Sequence, residues 1–96
     1  MKCAKLINKK IEIINTDIPK LNKKGAIIKV LGCGLCGSDI VKINHAKPTD
    51  NIVLGHEVVG IIDKINCNIK DFKVGDNVAL GHHYPCLKND CNYCKN

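Results

Sequence analysis

Gly25-Ala26-Ile27-Ile28-Lys29-Val30-Leu31-Gly32-Cys33-Gly34-Leu35-Cys36-Gly37-Ser38-Asp39 is the stretch from which the rest of the chain can be read. Its apolar start, broken only by Lys29, has the length and β-branched content of a strand and is consistent with burial on both faces. The strand runs straight into a turn in which glycines bracket a cysteine. Ser38-Asp39 can then cap a short helix over about Ile40 to Asn44. A buried strand that delivers a cysteine into a turn is a way of presenting a donor atom.

Working outward from there, Lys5 to Ile14 alternates loosely and reads as one or two short strands around Asn8-Lys9-Lys10. Thr16 to Lys24, with Pro19, Asn22 and several charges, reads as a connecting loop. On the other side, His45 to Asp50 contains Pro48 and also reads as loop. Val58 to Ile65 is the next clear strand, ended by Asn66-Cys67-Asn68. Phe72 to Leu80 reads as a turn feeding a further strand, and after His82 the periodicity fails. Short strands, glycine turns and a single brief helix predict a mainly β fold, an all-β barrel or sandwich. Helix is too scarce for a βαβ unit, and the close spacing of Gly32, Gly34 and Gly37 does not fit a dinucleotide-binding fingerprint.

Bulk properties narrow the function classes. Hydrophobic residues make up 45% of the 96, enough for globular material, but aromatics are only 3%, so the core is aliphatic. The net charge of +6 comes with fifteen basic residues, all of them lysine and scattered along the chain. Without arginine for bidentate grip, and with few rings to stack on bases, this is a lysine-coated surface and not a nucleic-acid interface. No apolar run is long enough for a membrane span or a signal core. Seven cysteines, an odd number, then point to metal binding in a reducing, cytoplasmic setting more than to a disulfide scaffold.

The chemistry-bearing residues are Cys36 and His56, each in a glycine-flanked turn, with Glu57 as the candidate for a third ligand. A thiolate and an imidazole, with no run of acidic residues, select zinc over calcium or magnesium. Asp39 is placed to accept a hydrogen bond from the ligand histidine's other nitrogen, which orients the ring and strengthens it as a donor. Ser38 offers a hydroxyl beside the metal, suited to passing a proton from a zinc-bound alcohol.

At Val30 to Asp39, at Val53-Leu54-Gly55-His56-Glu57-Val58-Val59-Gly60 and at Phe72-Lys73-Val74-Gly75-Asp76-Asn77-Val78 the chain closely resembles the zinc-dependent alcohol dehydrogenases, the medium-chain dehydrogenase family. The resemblance covers nearly the whole chain and about the first quarter of a typical member. It implies a GroES-like, partly open β-barrel with one or two short helices, truncated here, as an incomplete domain over residues 1–96. It implies that Cys36 and His56 bind a catalytic zinc, that Glu57 sits behind the metal or joins it, and that Ser38 belongs to a proton relay. Members often extend that relay with a histidine at the position of Val41. Valine cannot do so, and His45, one helical turn on, is read as a surface residue more readily than as a substitute.

Cys86, Cys91 and Cys94 resemble the lobe in which four cysteines hold a structural zinc, and residues 82–96 are expected to begin that lobe. His82-His83-Tyr84-Pro85 is similar to its approach in polyol-dehydrogenase relatives. The wide gap between Cys86 and Cys91 and the lack of a fourth cysteine leave such a site incomplete. Cys3, Cys33 and Cys67 are read as packing or surface thiols. The function implied is hydride transfer between an alcohol or polyol and NAD(P), assisted by zinc, in a complete enzyme. The chain alone is expected to be inactive, since the resemblance implies a nucleotide-binding domain that is not read in it, no cofactor-binding residue is found, and in many members a third catalytic-zinc ligand lies beyond the stretch matched here. Alternatives are a non-enzymatic zinc-binding barrel, or half of a split enzyme with a complementary chain or a homo-oligomeric partner. An unfinished barrel is expected to expose apolar edges.

Overall fold

A computed structural model describes residues 1–66, 70–81, 86, 90 and 91. It contains two open three-stranded antiparallel sheets and one helix among the described residues, and the sheets do not close into a barrel. The partly open, mainly β architecture expected from the sequence is thus observed.

The first sheet is built on a hairpin. Strands β1 (Lys2–Ile7) and β2 (Lys10–Asn15) pair with Ile7 opposite Lys10, leaving Asn8 and Lys9 as a two-residue loop. Both loop residues have positive φ, 46° and 66°, the backbone a tight hairpin with right-handed strand twist demands. Asparagine tolerates that region well and lysine less so. On its other edge β1 pairs with β4 (Asn51–Val53), a three-residue strand that the sequence reading left inside an unassigned stretch. Central position in this sheet makes Leu6 the most enclosed side chain, with no exposed surface.

The second sheet carries the site. Strand β3 (Gly25–Gly34) pairs along its length with β5 (Glu57–Asn66), and β6 (Asn77–Ala79) adds to the far edge of β5. Two register irregularities, between Ile27 and Ile28 and between Val30 and Gly32, bend β3 and re-aim its last residues. Gly60 permits the bend. A Cβ there would lie 2.5 Å from the Lys29 carbonyl oxygen and 2.6 Å from Ile28 Cγ2, so only glycine lets β3 approach this closely. Beyond β6 the ladder continues through Leu80 N–H to the Val58 carbonyl and Gly75 N–H to the Ile62 carbonyl, each 2.9 Å.

Burial of β3 on both faces is not what is found. Val30 and Leu31 are 58% and 61% exposed, and the buried hydrophobic core among the described residues is Leu6 and Ile62. The apolar run of β3 is paired edge to edge but covered on neither face at its second half, because the other sheet does not stack on it. Phe72, Val74 and Leu80 are likewise exposed, which agrees with the expected apolar surfaces. A groove of about 1070 Å³, lined by residues including Ile28, Ile62, Ile65, Phe72, Val78 and Leu80, runs along this sheet.

Helix α1 (Gly37–Asn44) starts earlier than the span from Ile40 to Asn44. Its N-cap is Cys36, with extended φ and ψ, and Ser38 and Asp39 lie in the first turn instead of preceding it. The reason is the Asp39 carboxylate, which reaches back so that Oδ2 accepts the Cys36 backbone N–H at 3.0 Å. That is the reciprocal half of a capping box and fixes the turn on the cysteine.

Candidate metal centre

The site follows from the register of the second sheet. Gly34, the last residue of β3, stands opposite Glu57, the first of β5, so the chain leaves one strand and enters the other at the same end of the ladder. Cys36 lies two residues past that end and His56 one residue before it. Residues twenty positions apart are therefore brought together by strand pairing and not by local sequence. The ligand atoms of Cys36, His56 and Glu57 all lie within 4.8 Å of one another, the one such group of three or more among the described residues.

The surroundings order the imidazole. Asp39 is 2% exposed, and its Oδ1 lies 3.5 Å from His56 Nδ1. That oxygen is buried without a hydrogen-bond partner, an expensive state for a carboxylate unless a proton donor is drawn in. A proton on Nδ1 directed at Oδ1 relieves it and leaves the Nε2 lone pair outward. Nε2 lies 3.4 Å from the hydroxyl of Ser38, which is exposed. One face of the ring is thus given to a buried carboxylate and the other to the open side of the cluster.

These residues fit a metal ion of zinc type. The donor set is one sulfur, one nitrogen and one carboxylate oxygen, a combination for a borderline-soft cation and not for calcium or magnesium. At bond lengths of about 2.0–2.3 Å, tetrahedral donors stand roughly 3.3–3.6 Å apart. Donors that lie within 4.8 Å of one another therefore have at most about 1.5 Å to close. Three protein donors would leave one tetrahedral position of such a cation for water or a substrate oxygen.

Other residues singled out in the sequence are placed differently. His45 caps the end of α1, with its Nδ1 3.0 Å from the Val41 carbonyl, and is exposed. Its hydrogen bond is with the helix end, as a surface residue's would be. Cys33 is exposed, and its Sγ fills the space a Cβ on Gly55 would need, at 2.6 Å. Gly55 has φ of +104°, so the turn that holds His56 relies on glycine both for conformation and for room. The packing expected of Cys33 is thus found, and its partner is the turn that holds the histidine. Cys86 is exposed and Cys91 half-buried. Cys94, Cys67 and His82 to Pro85 lie outside the described residues, and most of the second cysteine lobe with them. The apolar groove shares no lining residue with the cluster.

Comparison with known proteins bears on the family and the fold. The alcohol dehydrogenase GroES-like domain family matches residues 22–96. A probable cinnamyl alcohol dehydrogenase of Pinus taeda is 41% identical over 81 residues, covering 79% of this chain and 22% of that protein. D-xylulose reductase of Saccharomyces cerevisiae is 42% identical over 82 residues, covering 79% of this chain and 23% of its own length. Among solved structures, the apo form of zinc dependent alcohol dehydrogenase 2 from Streptococcus pneumonia superposes with a TM-score of 0.80 at 31% identity, covering 99% of this chain and 28% of that one. The chain therefore spans about a quarter of the length of the proteins it matches. With the family match extending over more than three quarters of its residues, the chain belongs to the alcohol dehydrogenase GroES-like domain family.

Proposed function

We propose that this chain is the N-terminal catalytic-domain portion of a zinc-dependent, NAD(P)-dependent alcohol or polyol dehydrogenase, and that Cys36, His56 and Glu57 hold the catalytic zinc. The observation that carries the proposal is the convergence of those three donors within 4.8 Å, backed by a buried carboxylate aimed at the histidine. When bound there, zinc supplies a Lewis acid that polarises an alcohol or carbonyl oxygen and lowers the pKa of a hydroxyl it carries.

The residues of the chain divide the remaining work. Cys36 and His56 are anchored by the α1 cap and the Gly55 turn, so both donors are pre-positioned. Asp39 holds the imidazole in the Nδ1-protonated form and balances the charge of the cation through it. Ser38, exposed and beside Nε2, can take a hydroxyl proton from the open side and release it to water. Hydride transfer needs a nicotinamide, and these 96 residues carry no glycine fingerprint to hold one, so oxidoreductase activity belongs to the complete enzyme and the chain alone is inactive. Cys86, Cys91 and Cys94 are proposed as three donors of a structural zinc that needs a further ligand, supplied by the complete enzyme, by a complementary chain or by a second copy. Cytoplasmic location is proposed from cysteine usage. No helix among the described residues is long and apolar enough to cross a membrane.

Metal analysis of wild type beside Cys36→Ala and His56→Ala tests this reading. Each substitution should remove one zinc per chain relative to wild type. Equal zinc content in all three proteins would refute the assignment. Addition of nicotinamide cofactor should leave the zinc-loaded chain without dehydrogenase turnover.

A further inference from the structure

Gly34 has no role in the donor set, yet it governs one member of it. Directly opposed residues of an antiparallel pair project on the same face, and Gly34 is opposite Glu57. The glutamate folds its carboxylate across the bare Cα of Gly34. A Cβ there would overlap Glu57 Oε2, and would lie 3.1 Å from Glu57 Cβ and 3.5 Å from its Cδ. No atom from any other residue is among these three nearest neighbours. Glu57 is exposed, and among the described residues no hydrogen bond or ion pair holds its carboxylate. Among the described residues, its fit against Gly34 is what keeps it in the cluster.

The other glycines near the site do not behave this way. Gly55 has φ of +104°, which an L side chain resists, and a Cβ on Gly60 would meet backbone. Gly34 is absent from the residues with positive φ, so alanine fits its backbone. The severe overlap is with the far end of a flexible glutamate, while its Cβ, at 3.1 Å, has to give by only about a few tenths of an ångström. The least costly response to an added methyl is rotation of Glu57 about its side-chain torsions, away from Cys36 and His56, with the ladder intact.

Resting on the metal-centre reading, we infer that Gly34 is a positioning residue: its missing side chain is the seat that holds the Glu57 carboxylate within reach of the metal. Replacing it with alanine converts a three-donor site into a two-donor site without touching a ligand. The effect runs entirely through Glu57, so it vanishes once Glu57 can no longer act as a carboxylate.

Cobalt(II) titration, followed by zinc competition, of wild type, Gly34→Ala, Glu57→Gln and the double variant tests this. Gly34→Ala should weaken metal binding at least about tenfold, the scale of effect seen when a ligand loses its support. It should keep the thiolate-to-cobalt charge-transfer band of Cys36 while its d–d spectrum moves to that of Glu57→Gln. The double variant should bind no more weakly than Glu57→Gln alone. Wild-type affinity in Gly34→Ala overturns the inference, as does a double variant weaker than Glu57→Gln by the full Gly34→Ala factor. Loss of the folded amide NMR fingerprint in metal-free Gly34→Ala overturns it too, since the side chain and not the ladder is required to move. A wild-type chain that binds no cobalt removes the metal-centre reading itself.

Discussion

Asp39→Asn separates the two tasks of the buried carboxylate. In the wild type, Oδ2 accepts the Cys36 N–H at 3.0 Å while Oδ1 faces His56 Nδ1 at 3.5 Å. Both tasks require an acceptor, and a carboxylate has two. Asparagine has the same shape but only one acceptor oxygen. If that oxygen keeps the Cys36 N–H, the amide NH2 faces His56, Nδ1 must accept, and the ring proton moves to Nε2, where it blocks coordination. If the amide turns over, the histidine is served but the N-cap N–H meets a donor, at a cost of about 1–3 kcal/mol. In the first case metal affinity should fall about 10–100-fold, or about 1.4–2.7 kcal/mol, with little change in the metal-free protein. In the second, metal-free stability drops instead. Zinc competition titration, thermal unfolding of the metal-free chain and the ¹⁵N shifts of the His56 ring distinguish these outcomes. Zinc affinity within twofold of wild type, with an unchanged melting curve, would refute the reasoning.

Three further perturbations probe the scaffold. Leu6→Ala empties the most enclosed position of the first sheet and should cost about 2–5 kcal/mol, a large share of the roughly 5–14 kcal/mol available to a domain of this size; an unchanged urea midpoint contradicts it. Gly60→Ala drives a methyl into the Lys29 carbonyl and should lower the urea midpoint by the equivalent of about 1–3 kcal/mol, since β3 must retreat from β5. The third concerns the turn before β6, where Asp76 accepts from Lys73 Nζ at 2.8 Å and from the Lys73 backbone N–H at 2.9 Å. The Lys73 side chain, then its backbone N–H, hold the Asp76 carboxyl below its ordinary value, and the same contact raises the lysine. A carboxyl lowered in the fold contributes above its unfolded pKa and loses that contribution as pH falls through the folded one, so the turn should loosen in acid, and the raised lysine loosens it again in strong base. Carboxyl ¹³C NMR should show Asp76 titrating lower than an ordinary aspartate and moving upward in Lys73→Ala; identical titration in both proteins argues against the pairing.

Part of this molecule could be read before any coordinates. The hairpin about Asn8-Lys9, the strand from Gly25 and the strand through Val58 to Ile65 follow from local alternation, β-branched content and turn residues. Cys36, His56 and Glu57 were nominated as donors by residue type and by glycine-flanked turns, and Asp39 by its offset from the cysteine. The three-residue strand β4 escaped notice because so short a segment carries no period of its own and exists only by pairing with β1. The helix start was misplaced because Asp39 serves as the back-reaching partner of a Cys36 cap, and cysteine is not a residue that announces an N-cap.

Chain order and side-chain chemistry determined what could bind: a sulfur, an imidazole and carboxylates, in glycine-flanked turns. Tertiary structure decided whether they meet. That depends on the β3–β5 register, where two bulges set Gly34 against Glu57, and a slip of one residue would turn the glutamate to the opposite face. It depends also on the burial of Asp39 and on the bare Cα beneath Glu57, neither of which is written in any spacing. Local sequence controls torsions and periodicity, whereas convergence across twenty residues is a property of the folded ladder.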